Sequence, residues 1–168
     1  MTNQLLQGKK GIIFGALDEK SIAWQVALKA HEAGARFTLS NTPAAMRFGT
    51  IEQLAEMCHS EIIPADATSE KDLETVFQRS TEIFGGKVDF VLHSIGMSMN
   101  VRKKRIYPDV DYDYFMKTLD ISSLSFHKML QIAFKLDAIE QWGSVVALSY
   151  IAAQRTLYAY NDIADAKA

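Results

Sequence analysis

The chain has 168 residues, of which 48% are hydrophobic and 23% are charged, and its formal net charge is −2. These values are typical of a globular domain with a sizeable core, and they give no reason to expect nucleic acid or a membrane surface as a partner. No apolar run approaches the roughly 20 residues that span a bilayer, the start does not resemble a signal peptide, and the single Cys58 excludes an internal disulfide, which together favour the cytoplasm.

Five short apolar runs, each followed by a helical pattern, predict a parallel sheet. Their residues are apolar without alternation, as expected when helices cover both faces of the sheet. Because strands separated by helices require right-handed crossovers, we expect an α/β fold with a doubly wound parallel sheet, a Rossmann fold. Residues 1–168 would then form one dinucleotide-binding domain. The five runs cover residues 11–14, 36–40, 61–66, 89–94 and 143–149.

The helical segments are marked by amphipathic spacing and by glycines at their ends. In the first of them Ile22, Val26 and Ala30 share one apolar face, and Gly34 is expected to end the helix in the left-handed conformation. Helices are predicted over residues 21–35, 50–58, 68–86 and 111–136, and another begins at Tyr160.

Unusual residues lie at the carboxyl ends of the predicted strands, which is where doubly wound sheets bind ligands. The first turn, FGALDEKSIAW, keeps Gly15 at the strand end but lacks the usual G-x-G-x-x-G pattern. A residue without a side chain lets the backbone approach a pyrophosphate, and Ser21 would add a hydroxyl donor at the start of a helix. The alternative is that Gly15 only makes a tight turn and Ser21 only caps the helix.

The end of the second strand bears on the choice between NADH and NADPH. A cation there would favour the 2′-phosphate of NADP, and an acidic residue would favour the free ribose of NAD. Ser40 and Asn41 offer only neutral hydrogen bonds. The sequence therefore favours NADH, unless Arg47 folds back toward Ser40.

The segment YNDIADAKA sets the phenol of Tyr160 and the ammonium of Lys167 seven positions apart. In a helix, seven steps of about 100° bring the two side chains to the same face. A phenol, with a reference pKa of about 10, stays protonated at neutral pH and can donate to a developing oxyanion, and a nearby cation makes donation easier. The alternative is a half-buried aromatic beside a solvated cation.

Three segments carry a resemblance to a known family: HSIG at 93–96, DISSLSF at 120–126 and LSYIAAQRTLYAYNDIADAK at 148–167. The chain resembles the NADH-dependent enoyl-acyl carrier protein reductases of bacterial type II fatty acid synthesis, in particular the branch found in Bacteroidetes. These enzymes are short-chain dehydrogenases, most of which have Tyr-x-x-x-Lys. Here six residues separate Tyr160 from Lys167, which is the mark of the enoyl reductases.

The resemblance implies that the enzyme reduces trans-2-enoyl-acyl carrier protein with NADH, in the last step of the elongation cycle. Tyr160 is then the oxyanion donor, Lys167 binds the ribose of the nicotinamide half, and Tyr150 positions substrate or assists proton delivery, while Ser98 contacts substrate. The implied cofactor-binding residues are Gly15, Ser21, Ile22, Ser40, Asp66, Ala67, Ser94, Ile95, Gly96, Ser149 and Lys167.

Other features are expected to lie outside the chemistry. Residues 161–165 read NDIAD where the family more often has NVMGL, a change that we expect on the helix face away from the site. His93 follows an apolar strand and is expected to be a hydrogen-bonded core histidine. The other histidines show no metal-ligand spacing, so we expect no metal. The basic residues 102–105 either attract an acidic carrier protein or form a solvated loop.

The resemblance also bears on assembly and length. The family's long helix and its catalytic helix pack against symmetry mates, which implies a homotetramer that acts on acyl carrier protein. The family continues for about a hundred residues beyond the lysine, so we expect this chain to be part of a longer protein. The alternatives are a carbonyl-reducing short-chain dehydrogenase, an inactive NAD-binding fragment, or a naturally short binding module that leaves a sheet edge open.

Overall fold

The computed structural model describes residues 4–168, which form an α/β fold around one parallel sheet. The four strands are ordered β2-β1-β3-β4, and all pairs are parallel, so the predicted doubly wound sheet is confirmed. The strands are β1 (Lys10–Phe14), β2 (Arg36–Ser40), β3 (Val88–His93) and β4 (Ile139–Ala147).

Four helical segments lie where they were predicted, the last helix begins at Asp162 rather than Tyr160, and two short helices, at residues 43–46 and 99–102, were not predicted. A π-helical turn, Asp120–Leu124, joins α6 to α7, so the predicted long helix is continuous but locally widened. Within residues 4–168, no helix combines the length and the apolar character needed to cross a membrane. The helices are α1 (Ile22–Glu32), α2 (Pro43–Met46), α3 (Ile51–Cys58), α4 (Glu70–Phe84), α5 (Met99–Arg102), α6 (Tyr112–Leu119), α7 (Ser125–Lys135) and α8 (Asp162–Lys167).

The core lies in two layers, one on each face of the sheet. Successive residues of a strand point to opposite faces, so Ile12 packs with Phe77 of α4 while Ile13 packs with Trp24 of α1. Each of these side chains is at most 2% exposed, and burial of one large apolar side chain stabilises the fold by about 1.5–3 kcal/mol. The helices therefore hold the sheet from both sides and leave its carboxyl edge for binding.

Gly15 follows β1 at the topological switch point of the sheet, where the next strands are added on opposite sides of β1. From β1 the chain builds β2 on one side and later β3 on the other, so a crevice opens at the carboxyl ends of β1 and β3. Gly15 has a φ of +91°, and its N–H donates to Ser40 O at 2.9 Å. A Cβ at this position would lie 2.0 Å from Ser94 O. Only glycine allows the two strand ends to approach this closely.

The structure corrects the third predicted strand. Residues 61–66 form no strand and make only an isolated parallel bridge, between Ile62 and Leu39 of β2. Three backbone hydrogen bonds of 2.8 to 3.0 Å still run along β2, from Leu39 N–H to Glu61 O, from Ile63 N–H to Leu39 O and from Ala65 N–H to Asn41 O, so the segment lies beside β2 without forming a regular strand. The sheet of the described chain accordingly has four strands rather than five.

The predicted apolar face of α1 is wrong at Ile22 and Val26, although its third member, Ala30, is buried. Ile22 is 62% exposed and Val26 is 36% exposed, whereas Ala23 and Trp24 are buried. The indole of Trp24 is the largest apolar group on the helix, and the small side chain of Ala23 allows close packing on the sheet, so these residues turn inward. The predicted end of α1 is confirmed, because Gly34 follows it with a φ of +91°.

Two glycines allow the close packing at the strand ends to be tested. We expect Gly85→Ala, at a φ of +64° with no atom within 4 Å of the new Cβ, to lower the free energy of unfolding by about 1 kcal/mol. Gly15→Ala adds the conflict with Ser94 O, so we expect a loss of about 3 kcal/mol. Equilibrium urea denaturation of the complete protein measures both. A loss at Gly15 no larger than at Gly85 would contradict the close approach.

Candidate active site

A cavity of about 330 Å³ opens at the carboxyl ends of β3 and β4. Its lining combines the residues after β3, the residues after β4 and one side of α8. The predicted site residues that line it are Ser94, Ile95, Gly96, Ser98, Ser149, Tyr150, Tyr160 and Lys167. Sequence reasoning missed the remaining lining residues, which are Met97, Val101, Arg102, Leu148 and Ile163.

The other predicted cofactor residues lie outside this cavity, at the carboxyl ends of β1 and β2 and in the segment before α4. Because the strands are parallel, all of these positions share one edge of the sheet. The predicted residues thus form two groups along that edge, as an extended ligand would require. The second group consists of Gly15, Ser21, Ile22, Ser40, Asp66 and Ala67.

Ser21 orders the turn before α1 rather than capping the helix. It occupies the N-cap position without a side-chain cap hydrogen bond. Instead its hydroxyl donates to Asp18 O at 2.8 Å and accepts from the N–H of Leu17 at 3.3 Å. The first N–H groups of a helix have no partner within the helix, so this end of α1 keeps donors suited to an anion.

Ser40 and Asp66, the predicted residues beside the end of β2, differ in their exposure to solvent. Ser40 has no exposed surface, and its Oγ has no hydrogen-bond partner among the described residues. Asp66 is exposed, and its Oδ1 accepts from the N–H and the hydroxyl of Thr68 at 2.9 and 2.8 Å. The Asp66 carboxylate is therefore oriented by its own loop, beside the buried Ala67.

Lys167 connects α8 to the ends of β3 and β4. Its Nζ donates to Ile95 O at 2.7 Å, and its backbone oxygen accepts from Ser149 Oγ at 2.8 Å. A Cβ at Gly96 would lie 3.5 Å from Lys167 Cε, so the lysine stem passes directly over that glycine. Burial lowers the pKa of Lys167. Within residues 4–168 no carboxylate pairs with this ammonium.

Tyr150 and Tyr160 stack in the same cavity. Their ring centroids are 5.2 Å apart and their planes differ by 26°, and each side chain is about two-fifths exposed. The neighbouring Tyr160 phenol raises the pKa of Tyr150. Both phenols are thus available to a ligand that enters between them and Lys167.

The structure corrects the position of Tyr160 relative to the helix. α8 begins only at Asp162, so Tyr160 and Lys167 do not share a helix face. Ala159 has a φ of +62°, and the chain bends again at Asn161, whose side-chain amide donates to the backbone oxygen of Arg105 at 2.7 Å. The bend, rather than helical spacing, brings the phenol and the ammonium to one cavity.

Asp162 also departs from expectation, because it points into the protein beside the site. It has no exposed surface. Its Oδ1 accepts from Ser98 Oγ at 2.6 Å, and its Oδ2 accepts from Asn100 Nδ2 at 2.9 Å and from Thr118 Oγ1 at 2.7 Å. The only sequence signal for this residue was the unusual NDIAD. The Ser98 hydroxyl is engaged by Asp162 although Ser98 lines the cavity, so its contact with substrate stays a prediction.

His93 is confirmed as a hydrogen-bonded core histidine. It is 1% exposed, and its Nε2 lies 2.8 Å from Ser125 Oγ. The Ser125 hydroxyl donates to Ile121 O at 2.7 Å, so Nε2 carries the hydrogen and donates to Ser125. Burial lowers the pKa of His93 to about 4, and the charge of Lys167 adds to that effect. The imidazole is therefore neutral at neutral pH.

Elsewhere in residues 4–168, the titratable groups form neither a cluster that could hold a metal ion nor a reactive thiol. In the described part of the chain, no three His, Cys, Asp or Glu residues cluster closely enough to hold a metal ion. Cys58 is 5% exposed, and burial raises the pKa of its thiol, which disfavours the reactive thiolate.

The basic residues 102–105 lie at the edge of the cavity, which Arg102 lines. Lys103 lies over the ring of Tyr114 and donates to its hydroxyl at 2.7 Å, and Arg105 pairs with Asp109. Part of this positive charge is therefore engaged within the chain.

A family model described as Enoyl-(Acyl carrier protein) reductase matches residues 15–168. The chain is 33% identical over 166 residues to enoyl-[acyl-carrier-protein] reductase [NADH] 1 of Rhizobium meliloti (strain 1021), which covers 98% of this chain and 59% of that protein. It is 33% identical over 171 residues to enoyl-[acyl-carrier-protein] reductase [NADH] FabI of Rickettsia bellii (strain RML369-C), which covers 100% of this chain and 63% of that protein.

Among solved structures, the chain resembles the FabI–NADH complex from Alistipes finegoldii. The TM-score is 0.95 and the sequences are 65% identical, over 98% of this chain and 58% of that one. The chain thus spans less than two thirds of the length of each of these three proteins.

His93 predicts a pH dependence of stability. Its pKa in the fold is about 4, below the value of about 6.5 in an unfolded chain. The contribution of the neutral imidazole is therefore fully present above pH 6.5, and it is lost as the pH falls through 4, because the unfolded state binds the proton first. A difference of this size corresponds to roughly 3 kcal/mol.

We expect this pH dependence to appear in urea unfolding of the complete protein between pH 7.5 and 4. His93→Gln should flatten the slope in that range, whereas His127→Gln, at an exposed histidine, should leave it unchanged. Equal slopes for the wild type and His93→Gln would show that another group causes the acid sensitivity.

Proposed function

The chain belongs to the enoyl-(acyl carrier protein) reductase family, and we propose that the protein containing it reduces trans-2-enoyl thioesters of acyl carrier protein to the saturated acyl thioesters, with NADH as reductant. This reaction is the last step of the elongation cycle in fatty acid synthesis. The observation that carries the proposal is the stacked pair of Tyr150 and Tyr160 in one cavity with Lys167.

The two tyrosines suit the charge that develops in this reaction. Bound NADH supplies the hydride that adds to the β-carbon of the enoyl thioester. Negative charge then develops on the thioester oxygen, and a hydrogen-bond donor at that oxygen stabilises the transition state. Tyr160 is our choice for that donor. Tyr150, stacked against it, positions the thioester or assists delivery of the proton that the α-carbon finally takes up.

The residues along the sheet edge fit a dinucleotide. Gly15 brings two strand ends to within a distance that leaves no room for a side chain, and the first turn of α1 beside it offers N–H groups to the diphosphate. The buried Ser40 hydroxyl has no partner in the described chain and lies on the adenosine side with Asp66. Ser94, Ile95 and Gly96 would then line the path toward the nicotinamide half.

Lys167 would hold the ribose of the nicotinamide half. An ammonium has three N–H donors, and one of them already bonds Ile95 O. The two others remain for ribose hydroxyls, and Ser149 fixes the backbone at Lys167 through its own hydrogen bond. The positive charge of Lys167 also stabilises the oxyanion to which Tyr160 donates.

Several features support NADH, a homotetramer and a cytoplasmic location as further parts of this proposal. Ser40 and Asn41 place no cation where the 2′-phosphate of NADPH would lie, and Arg47 is exposed at the end of α2. The single Cys58 is typical of a reducing compartment. The long α6–α7 helix exposes large apolar side chains suited to a two-fold interface, which are Tyr112, Met116, Leu124 and Phe134.

An assay of the complete protein tests the reaction itself. We expect loss of NADH absorbance with a crotonyl thioester, because the site offers an oxyanion donor to a conjugated thioester. A β-ketoacyl thioester should give little or no loss. Activity on the β-ketoacyl substrate alone would instead favour a carbonyl-reducing short-chain dehydrogenase, and binding of NADH without either activity would favour a binding module.

The roles of Tyr160 and Lys167 predict different failures. Tyr160→Phe removes the oxyanion donor, so kcat should fall by about 10²–10³ while NADH affinity holds. Lys167→Ala removes charge-assisted hydrogen bonds, so NADH should bind about tenfold to a hundredfold more weakly. Tyr158→Phe, which alters an 86% exposed phenol, is the matched control and should leave both values unchanged. Calorimetric titration with NADH decides, and equal affinities for the Tyr160 and Lys167 variants would contradict these roles.

A further inference from the structure

The carboxylate of Asp162 is buried next to the catalytic residues and is held by neutral donors alone. It accepts hydrogen bonds from the hydroxyls of Ser98 and Thr118 and from the amide of Asn100, at 2.6 to 2.9 Å. No Lys, Arg or His forms an ion pair with it within residues 4–168. Burial of a carboxylate is costly, and three hydrogen bonds offset that cost only if they are held in place.

The donors are indeed held in place by the backbone around them. The Ser98 hydroxyl accepts from the N–H of Val101 at 3.0 Å. The side chain of Asn100 donates to Asp111 O at 3.1 Å and accepts from Asp111 N at 3.0 Å. The carboxylate therefore joins three parts of the chain: the segment after β3, the last turn of α6 at Thr118 and the start of α8.

The beginning of α8 is fixed by side-chain hydrogen bonds of two successive residues, Asn161 and Asp162. Asp162 is its first residue, two positions after Tyr160 and five before Lys167. Asn161 adds one bond, to the Arg105 backbone. A shift at Asp162 would thus move the phenol and the ammonium relative to the cavity wall at Ser98.

We propose that Asp162 is a positioning residue, which sets Tyr160 and Lys167 against the Ser98–Asn100 wall of the active site through its hydrogen bonds to Ser98, Asn100 and Thr118. The kinetic part of this inference rests on the proposed function. The structural part concerns the order of two segments and can be measured without any activity.

Asp162→Asn tests this role most directly, because it keeps the shape of the side chain and replaces one acceptor oxygen by an amide group that donates. An amide at position 162 has one oxygen, so it can accept from Asn100 Nδ2 or from the Ser98 hydroxyl, but not from both. Turned one way, its nitrogen faces Asn100 Nδ2, which can only donate; turned the other way, the Ser98 hydroxyl, which already accepts from Val101 N–H, loses its acceptor. We expect kcat to fall about tenfold to a hundredfold, the range of a misplaced catalytic group.

Exchanging the two residue types tests whether the contact between positions 162 and 100 causes the loss of kcat. In Asp162→Asn combined with Asn100→Asp, the amide at position 162 donates to a carboxylate at position 100. That carboxylate still accepts from Asp111 N–H, although Asp111 O loses its donor. We expect the double variant to recover part of the lost kcat, because the exchange restores the contact between positions 162 and 100 but sets a carboxylate oxygen against Asp111 O. Thr118→Val removes a hydroxyl whose one hydrogen is shared between Asp162 and Tyr114 O, so it should cause a smaller loss.

A buried pair far from the site provides the control. Ser80 of α4 and Thr38 of β2 share a buried hydrogen bond of 2.7 Å. Ser80→Ala leaves the buried Thr38 hydroxyl unpaired, and such a change destabilises proteins. It should lower the melting temperature by an amount similar to that of Asp162→Asn and leave kcat within about twofold of the wild type.

Hydrogen–deuterium exchange and steady-state kinetics of the complete protein test the positioning role of Asp162. The proposal predicts faster exchange in residues 98–105 and 160–167 of Asp162→Asn, with the sheet unchanged, together with the kcat loss and its partial recovery in the double variant. Faster exchange throughout the sheet, or a kcat loss that matches the Ser80→Ala control, would overturn it. If the wild type reduces no enoyl thioester, the proposed function fails, and the exchange pattern alone decides the role of Asp162.

Discussion

The half-buried ammonium of Lys167 is the group on which the rest of the site depends. Lys167 joins α8 to the residues after β3 through the hydrogen bond from its Nζ to Ile95 O. It joins α8 to the residues after β4 through the hydrogen bond that its backbone oxygen accepts from Ser149 Oγ. Removal of a cation from water is costly, as the lowered pKa of Lys167 indicates, and the Ile95 carbonyl offsets part of that cost. The same charge helps to keep the buried His93 neutral, so the core beneath the cavity carries no second positive charge.

The fold brings ligand-binding residues to this cation by the order of its strands. Because β1 lies between β2 and β3, the crevice at the strand ends opens beside Gly15 and Ser94. One group of polar residues follows β1 and β2, and the other follows β3 and β4. A ligand that extends from the exposed Asp66 on the β2 side to Lys167 would therefore cross the crevice, which is the arrangement that doubly wound sheets use for dinucleotides.

The sequence predicted most of the fold, and it failed where distant contacts decide the local structure. Apolar runs located β1 to β4, and parallel pairing explains why residues from separate strand ends meet. Residues 61–66 look like a strand, but they make only a short run of backbone hydrogen bonds, to Leu39 and Asn41. The left-handed Ala159, which places Tyr160 before α8, leaves no mark in the sequence. Asp162 finds partners 44 to 64 residues away, so helical spacing could not predict its burial.

The most direct test of the central claim follows the hydride. The complete protein is given NADH that carries deuterium in the transferable position at C4, with equal amounts of a trans-2-enoyl thioester and a β-ketoacyl thioester. The products are then analysed by mass spectrometry and NMR. We predict one deuterium at the β-carbon of the saturated thioester and an unchanged β-ketoacyl thioester. Deuterium in a β-hydroxyacyl product, or in neither product, would contradict the assignment of Tyr150, Tyr160 and Lys167 to enoyl reduction.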